Sequence, residues 1–144
     1  MLQVAFDVQG IGRVSLMDEG PSAIVTELAI EFTELMHRWA PEWSIAFFRF
    51  SLDPTKFGSV ASYVSHPTVT IVDPFKHSGF FGSMNAKGVK LLRSLSKSQG
   101  VFLVVIDRDL TYDVKFDFDN LDRWRISKLN GGRGLPEGID FQKS

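Results

Sequence analysis

The segment Trp43 to Phe50 reads Trp-Ser-Ile-Ala-Phe-Phe-Arg-Phe, and its aromatic residues fall at both odd and even positions. Side chains of a β-strand alternate between the two faces of a sheet, so a strand of this composition places large apolar groups on both faces. This pattern is typical of a strand that is covered on both sides. We therefore predict that the segment is a central strand with packed material on each face.

Two helices are predicted, one before and one after these strands along the chain. The first begins at Pro21-Ser22 and ends before Pro41, and its apolar residues follow the three-and-four spacing of one helical face. Those residues are Ile24, Leu28, Phe32, Leu35, Met36 and Trp39. After a predicted loop over residues 73–82, Ser83 can cap a second helix. Its apolar side contains Met84, Gly88, Leu91, Leu92 and Leu95.

The remaining apolar runs predict antiparallel strands. Residues 2–8 alternate and are separated by Gly10-Ile11-Gly12 from a second alternating stretch around Val14 and Leu16, which indicates an N-terminal hairpin. Phe57 to Val64 and Thr68 to Val72 extend the central strand into a three-stranded meander.

A second hairpin follows near the C-terminal end. Val101 to Asp107 is apolar throughout, and Tyr112 to Phe118 alternates strictly, with Asp113, Lys115 and Asp117 predicted to point outward. Residues 121–144 are rich in glycine and should be mostly irregular, anchored by their apolar side chains. The order of elements lacks alternating βαβ units.

These elements predict an α+β fold, with a mainly antiparallel sheet and two principal helices in a single layer packed on it. The length of 144 residues suits one domain, so residues 1–144 are expected to form a single compact unit. We expect a cytoplasmic protein, since no signal peptide and no apolar run of about 20 residues is found. A formal net charge of −1 gives no global attraction to a membrane surface or to nucleic acid, and neither is expected as a direct partner.

No motif for catalysis or metal binding is found. The chain contains no cysteine, which excludes a disulfide framework, a thiolate zinc site and a cysteine nucleophile. Its three histidines lack metal-ligand spacing, and no Gly-x-Ser-x-Gly elbow occurs. We predict no enzymatic activity, no catalytic residue, no metal and no cofactor.

Charge is distributed unevenly near the C-terminal end. Six carboxylates fall between positions 107 and 122, and a basic stretch follows them. The carboxylates are Asp107, Asp109, Asp113, Asp117, Asp119 and Asp122, and the basic residues are Arg123, Arg125, Lys128 and Arg133. Two interpretations are open: a solvated strand face, or an acidic surface that meets a basic cleft on a partner protein.

Two parts of the chain resemble a known family. They are Trp39-Ala40-Pro41-Glu42-Trp43 with the strands that follow it, and Val105 through Asp119 with Asp122-Arg123-Trp124-Arg125-Ile126 and Leu135-Pro136. In these segments the chain resembles the YezG-like immunity proteins, which neutralise toxins of bacterial polymorphic and contact-dependent systems. The resemblance implies an antiparallel sheet flanked by helices, a cytoplasmic location and tight binding to one cognate toxin domain.

The resemblance also implies a contact surface. If the toxin is a nuclease, we expect Asp113, Asp117, Asp119 and Asp122 to occupy its phosphate-binding cleft, with Trp124 as an aromatic anchor. A core position for Trp124 is an equal alternative.

Two other function classes stay open at this point. One is a small-ligand binder or an enzyme that uses the 66–82 loop region, with His66, Asp73 and His77. The other is an adaptor subunit whose acidic strand serves an assembly. The sequence leaves the oligomeric state open.

Overall fold

The apolar runs of the sequence meet in one sheet. The computed structural model describes residues 3–9, 19–40 and 42–139. In these residues the strands are β1 (Gln3–Gln9), β2 (Ile45–Leu52), β3 (Phe57–Ser65), β4 (Thr68–Ile71), β5 (Gly100–Asp107) and β6 (Thr111–Asp117). The helices are α1 (Glu19–Trp39) and α2 (Ser78–Ser94), with a short 3-10 turn at Leu129–Gly131.

The strands lie in the order β1-β6-β5-β2-β3-β4. Strands β2 to β6 pair antiparallel to their neighbours, and β1 pairs parallel to β6, with Val4 opposite Tyr112. The predicted α+β fold with a mainly antiparallel sheet is confirmed. The strand predicted over residues 2–8 is also confirmed. Its predicted hairpin partner around Val14 and Leu16 lies outside the described residues.

Strand β2 occupies the position that its aromatic residues predict, since it lies between β3 and β5. Phe48 and Phe50 lie in the apolar cluster on one face of the sheet, and Phe47 lies in the cluster on the other face. All three side chains are fully buried. The prediction of a central strand covered on both faces is confirmed.

Both helices pack on the same face of the sheet, which we call the helix face. Its cluster joins α1 through residues such as Leu28 and Phe32, and α2 through Met84 and Leu91, to the sheet. This confirms the predicted single layer of helices. Within the described parts of the chain, neither helix combines the length and the apolar character that crossing a membrane requires.

Helix α2 begins earlier than predicted. It starts at Ser78, with His77 before it and no side chain capping the first turn. Ser83 therefore lies inside the helix and is not its cap. Its hydroxyl donates to Oε1 of Glu31 on α1 at 2.8 Å, and Nζ of Lys87 donates to the same carboxylate at 2.7 Å. These polar contacts tie the two helices together.

The opposite face of the sheet, which we call the tail face, is covered by irregular chain. Residues 121–139, named here the tail segment, place Trp124 and Ile126 against Phe47 and Leu103. Arg49 projects from β2 on this face and donates to two backbone oxygens of the segment, that of Leu121 at 2.6 Å and that of Arg123 at 2.7 Å. The predicted irregular tail with apolar anchors is thus confirmed for the residues described.

Candidate functional site

The predicted acidic surface is smaller and more neutralised than the sequence indicates. Asp113 lies on β6, partly buried, with its carboxylate 3.4 Å from Nζ of Lys115. Asp122 is exposed, and its carboxylate forms an ion pair with the guanidinium of Arg125 at 2.7 Å. Asp119 is also exposed. Of the four carboxylates predicted to contact a toxin, the structure therefore leaves Asp119 and Asp122 exposed.

Asp117 does not point into solvent as the alternation predicts, and that prediction is wrong. Its exposed fraction is only 4%, because the chain turns back over it after β6. The carboxylate accepts hydrogen bonds from the backbone N–H groups of Asp119 at 3.0 Å and Asn120 at 2.9 Å, and from Nη1 of Arg123 at 2.9 Å. Asp117 thus organises the turn that leads into the tail segment.

The environment of Asp117 also changes its acidity. Burial pushes the pKa upward, but the N–H groups of Asn120 and Asp119 and the guanidinium of Arg123 together outweigh it, so the pKa lies below its ordinary value. The unfolded chain therefore takes up the proton at a higher pH than the folded chain. The resulting stabilisation is present above about pH 4 and is lost as the pH falls through the lower folded-state pKa.

We predict that Asp117→Asn lowers the free energy of unfolding by about 1 to 3 kcal/mol at pH 7, because the substitution weakens a buried, charge-assisted network. The difference from the wild type should shrink as the pH falls below about 4, because the unfolded wild-type chain then takes up a proton while the folded carboxylate still resists it. Urea unfolding in steps from pH 7 to pH 3 measures it. Asp109→Asn, at an exposed position, is the control. A difference that is independent of pH would contradict this account.

Trp124 is a core residue in this fold. Its exposed fraction is 2%, and it packs with Phe47, Val101 and Leu103 in the tail-face cluster. The guanidinium of Arg123 lies over its ring, 4.8 Å from the centroid. The sequence analysis allows Trp124 to be either an aromatic anchor for a partner or a core residue, and the structure places its side chain in the core.

A different surface carries exposed aromatic groups. An open groove with a volume of about 640 Å³ lies where the C-terminal end of α1 meets β3, β4 and the turn before α2. Its lining includes Met36, Trp39, Tyr63, Thr70 and His77. We call this surface the aromatic groove.

Trp39 is the largest exposed group of the groove. Its exposed fraction is 59%, although the periodicity of α1 placed it on the buried face. Its ring meets that of His77 edge to face, with 5.1 Å between centroids. Phe75, with 92% of its surface exposed, lies in the adjoining turn between Asp73 and Lys76, which both line the groove. Two large aromatic side chains are therefore exposed, Trp39 in the groove and Phe75 in the turn beside it.

The turn that presents Phe75 is shaped by local hydrogen bonds. Oδ1 of Asp73 accepts the backbone N–H of Phe75 at 2.9 Å, and the backbone oxygen of Asp73 accepts the N–H of Lys76 at 3.2 Å. The first turn of α2 carries no acidic side chain. Lys76 and the positive end of the α2 dipole thus lie at this end of the groove together with the carboxylate of Asp73.

Of the three loop residues considered for a ligand site, the structure brings only two to one place. Asp73 and His77 line the aromatic groove, whereas His66 lies in the turn between β3 and β4, next to a cis His66–Pro67 bond. Among residues 3–9, 19–40 and 42–139, no group of three or more His, Cys, Asp or Glu side chains is placed to hold a metal ion.

Sequence reasoning missed the aromatic groove because it is assembled from three separate parts of the chain. One signal was present for Phe75, which stands between Pro74 and Lys76 in a turn and has no periodic apolar neighbours. Trp39 gave a misleading signal, since it is the last residue of α1 and extends beyond the sheet-facing side chains.

In sequence comparisons, no protein-family model and no curated protein matches this chain. The resemblance to YezG-like immunity proteins therefore stays a prediction, as does a partner-contacting role for Asp113, Asp119 and Asp122. The side chains of Asp117 and Trp124, which the sequence analysis expects to share that role, are buried in the structure.

Proposed function

We propose that this protein is an immunity protein, which binds a cognate bacterial toxin domain and neutralises it by direct contact. The observation that carries the proposal is the aromatic groove, where Trp39 is exposed and Phe75 is exposed in the adjoining turn, in a fold that buries most of its aromatic rings. Exposed Trp and other aromatic groups are enriched at protein interfaces and supply much of their binding energy. The groove thus favours a protein partner.

The exposed carboxylates support the same proposal in a secondary way. Asp119 and Asp122 are accessible after β6, and they would steer a basic partner during encounter. Such steering acts mainly on the association rate and weakens with added salt. In this proposal the aromatic groove supplies affinity, and the acidic residues supply speed and selectivity, above all toward a nuclease with a basic cleft.

A second candidate is a small ligand in the same groove, because a volume of about 640 Å³ lies in the range of ligand pockets. The 59% exposure of Trp39 argues against it, since a ligand pocket usually encloses its aromatic lining. A thermal-shift screen of metabolites that gives no stabilisation, alongside strong stabilisation by a protein partner, decides between the two.

Co-expression tests the proposal directly. The probe is the polypeptide encoded by the gene immediately upstream, expressed in a host whose growth it arrests. We expect the protein to restore growth and to co-elute with that polypeptide. Absence of both rescue and co-elution, with the protein folded and monomeric, would overturn the immunity role for this pair.

We predict that Trp39→Ala weakens binding by about 2 kcal/mol or more, which is roughly a 30-fold higher Kd, while the free energy of unfolding falls by about 1 kcal/mol because the ring contact with His77 is lost. Titration calorimetry against the purified partner measures the change. Ile30→Ala, at another exposed apolar position of α1, is the matched control and should bind as the wild type does. If Asp119→Lys slows association and Trp39→Ala has no effect, the contact is on the acidic surface and not in the groove.

A further inference from the structure

Strand β4 forms one edge of the sheet, and the aromatic groove runs along it. The sheet order places β3 on one side of β4 and no described strand on the other. Thr70 and Ile71 of β4 line the groove together with Trp39 of α1. Any chain that lay against the outer edge of β4 would therefore lie over the groove as well.

The hydrogen-bonding state of this edge follows from the hairpin register. Ser65 pairs with Thr68 and Tyr63 with Thr70. The N–H of Val72 donates to the backbone oxygen of Ala61 at 2.9 Å, so residues 68, 70 and 72 direct their backbone groups toward β3. Because these directions alternate along an antiparallel strand, Val69 and Ile71 direct theirs outward.

The outward N–H and C=O groups of Val69 and Ile71 can hydrogen bond to a further strand. Among the described residues, no backbone group hydrogen bonds to Val69 or Ile71 on the outer side of β4. Natural edge strands are commonly protected by lysine, by proline or by a bulge. Strand β4, by contrast, reads Thr-Val-Thr-Ile, uncharged and β-branched throughout. Its composition favours pairing with a further strand.

We propose that the partner protein supplies an extended segment that adds to the sheet at β4, with its alternate side chains in the aromatic groove. This inference rests on the proposed function and specifies how the partner is recognised. Backbone hydrogen bonds to Val69 and Ile71 supply the register, as in other cases of strand addition. Side chains of the added strand that face the same way as Thr70 lie over Trp39 and His77.

The groove also selects the chemistry of that segment. Met36, Trp39 and Tyr63 favour apolar or aromatic side chains at alternate positions. At the end nearest α2 the lining carries one cation, Lys76, and one carboxylate, Asp73, so the two charges offset each other there. The expected ligand is an extended segment with apolar side chains at alternate positions.

A random ten-residue peptide library displayed on phage tests this without any assumption about the natural partner. The full chain is the bait, and selected peptides are synthesised and titrated against three proteins: the wild type, Val69→Pro and Val69→Ala. Proline removes the outward N–H and keeps a strand-compatible backbone, whereas alanine keeps the N–H and shortens the side chain. We expect Val69→Pro to raise the peptide Kd at least tenfold, and Val69→Ala to change it less than threefold.

Amide exchange provides the second measurement. In the isolated protein, the amides of Val69 and Ile71 should exchange faster than that of Thr70, and a selected peptide should slow both. Thermal unfolding of each variant establishes that it is folded.

Three results would overturn the proposal of an added strand. The selected peptides could bind Val69→Pro as tightly as the wild type, or the selection could yield no peptide enriched above a bait-free control. The third is slow amide exchange of Val69 and Ile71 in the isolated monomer. A wild-type dimer that becomes monomeric in Val69→Pro would assign the edge to a second copy of the chain. The immunity role is tested separately, by rescue of growth. If rescue fails, the peptide measurements still decide whether a strand adds to β4.

Discussion

Phe47→Ala is expected to lower the free energy of unfolding by about 3 to 5 kcal/mol. Phe47 is fully buried in the centre of the tail-face cluster, between β2 and the tail segment. Removing its ring takes apolar contacts from Leu103 and Trp124 and leaves a cavity that the flanking strands β3 and β5 cannot close. Denaturant unfolding measures the loss.

The substitution should also loosen the tail segment. This segment is held by apolar contacts around Phe47 and by the two hydrogen bonds from Arg49. Limited proteolysis should therefore cut within residues 121–139 sooner in the variant than in the wild type.

Phe75→Ala is the matched control, because the same side chain is lost from a position that is almost fully exposed. Its unfolding free energy should change by less than about 0.5 kcal/mol. A loss below about 1 kcal/mol for Phe47→Ala would show that the tail segment does not pack tightly on the tail face. The conclusion that β2 is covered on both faces would then be wrong.

The sequence predicts elements well where the burial of a residue depends on its own segment. Phe47 and Phe48 adjoin in β2, and only a strand covered on both faces can bury both. Leu28, Phe32 and Leu35 fall on one side of α1 for a similar reason: periodicity within the helix decides which residues can reach the sheet. These predictions required no knowledge of distant contacts.

Predictions fail where a distant or later segment decides the outcome. Alternation correctly places Asp117 on the face opposite Phe116, but it cannot show that residues 119–123 fold back over that carboxylate. The same holds for β1, whose parallel pairing with β6 joins residues about a hundred positions apart.

The start of α2 was mispredicted for an energetic reason. Gly79 and Gly82 indicate a loop, since each costs a helix roughly 1 kcal/mol relative to alanine. The structure nevertheless places both inside α2, at exposed positions. Phe81 and Met84 are buried from the same turns, and burial of such side chains contributes about 1.5 to 3 kcal/mol each. Tertiary packing therefore outweighs the local preference.

Another glycine of α2 is required for packing, and its replacement gives the second large effect. A Cβ added at Gly88 would lie 2.8 Å from three ring atoms of Phe50. That ring is fully buried and stacks on Phe102 with 5.2 Å between centroids, so moving it would disturb the packing of the helix face. Helix α2 can lie this close to β2 only because residue 88 has no side chain.

We predict that Gly88→Leu lowers the free energy of unfolding by about 3 kcal/mol, and Gly88→Ala by about 1 to 2 kcal/mol, because overpacking exceeds the gain in helix propensity. Gly82→Ala is the matched control in the same helix. A Cβ there meets nothing within 4 Å, so this variant should be more stable by about 0.5 to 1 kcal/mol. Urea unfolding of the three variants measures all of these changes.

Both alanine variants gain the same helix propensity. If Gly88→Ala lowers the free energy of unfolding and Gly82→Ala raises it, the difference is therefore due to the contact with Phe50. Equal stabilisation by both would mean that α2 can move away from β2 at little cost, and the close packing of the helix face would not hold.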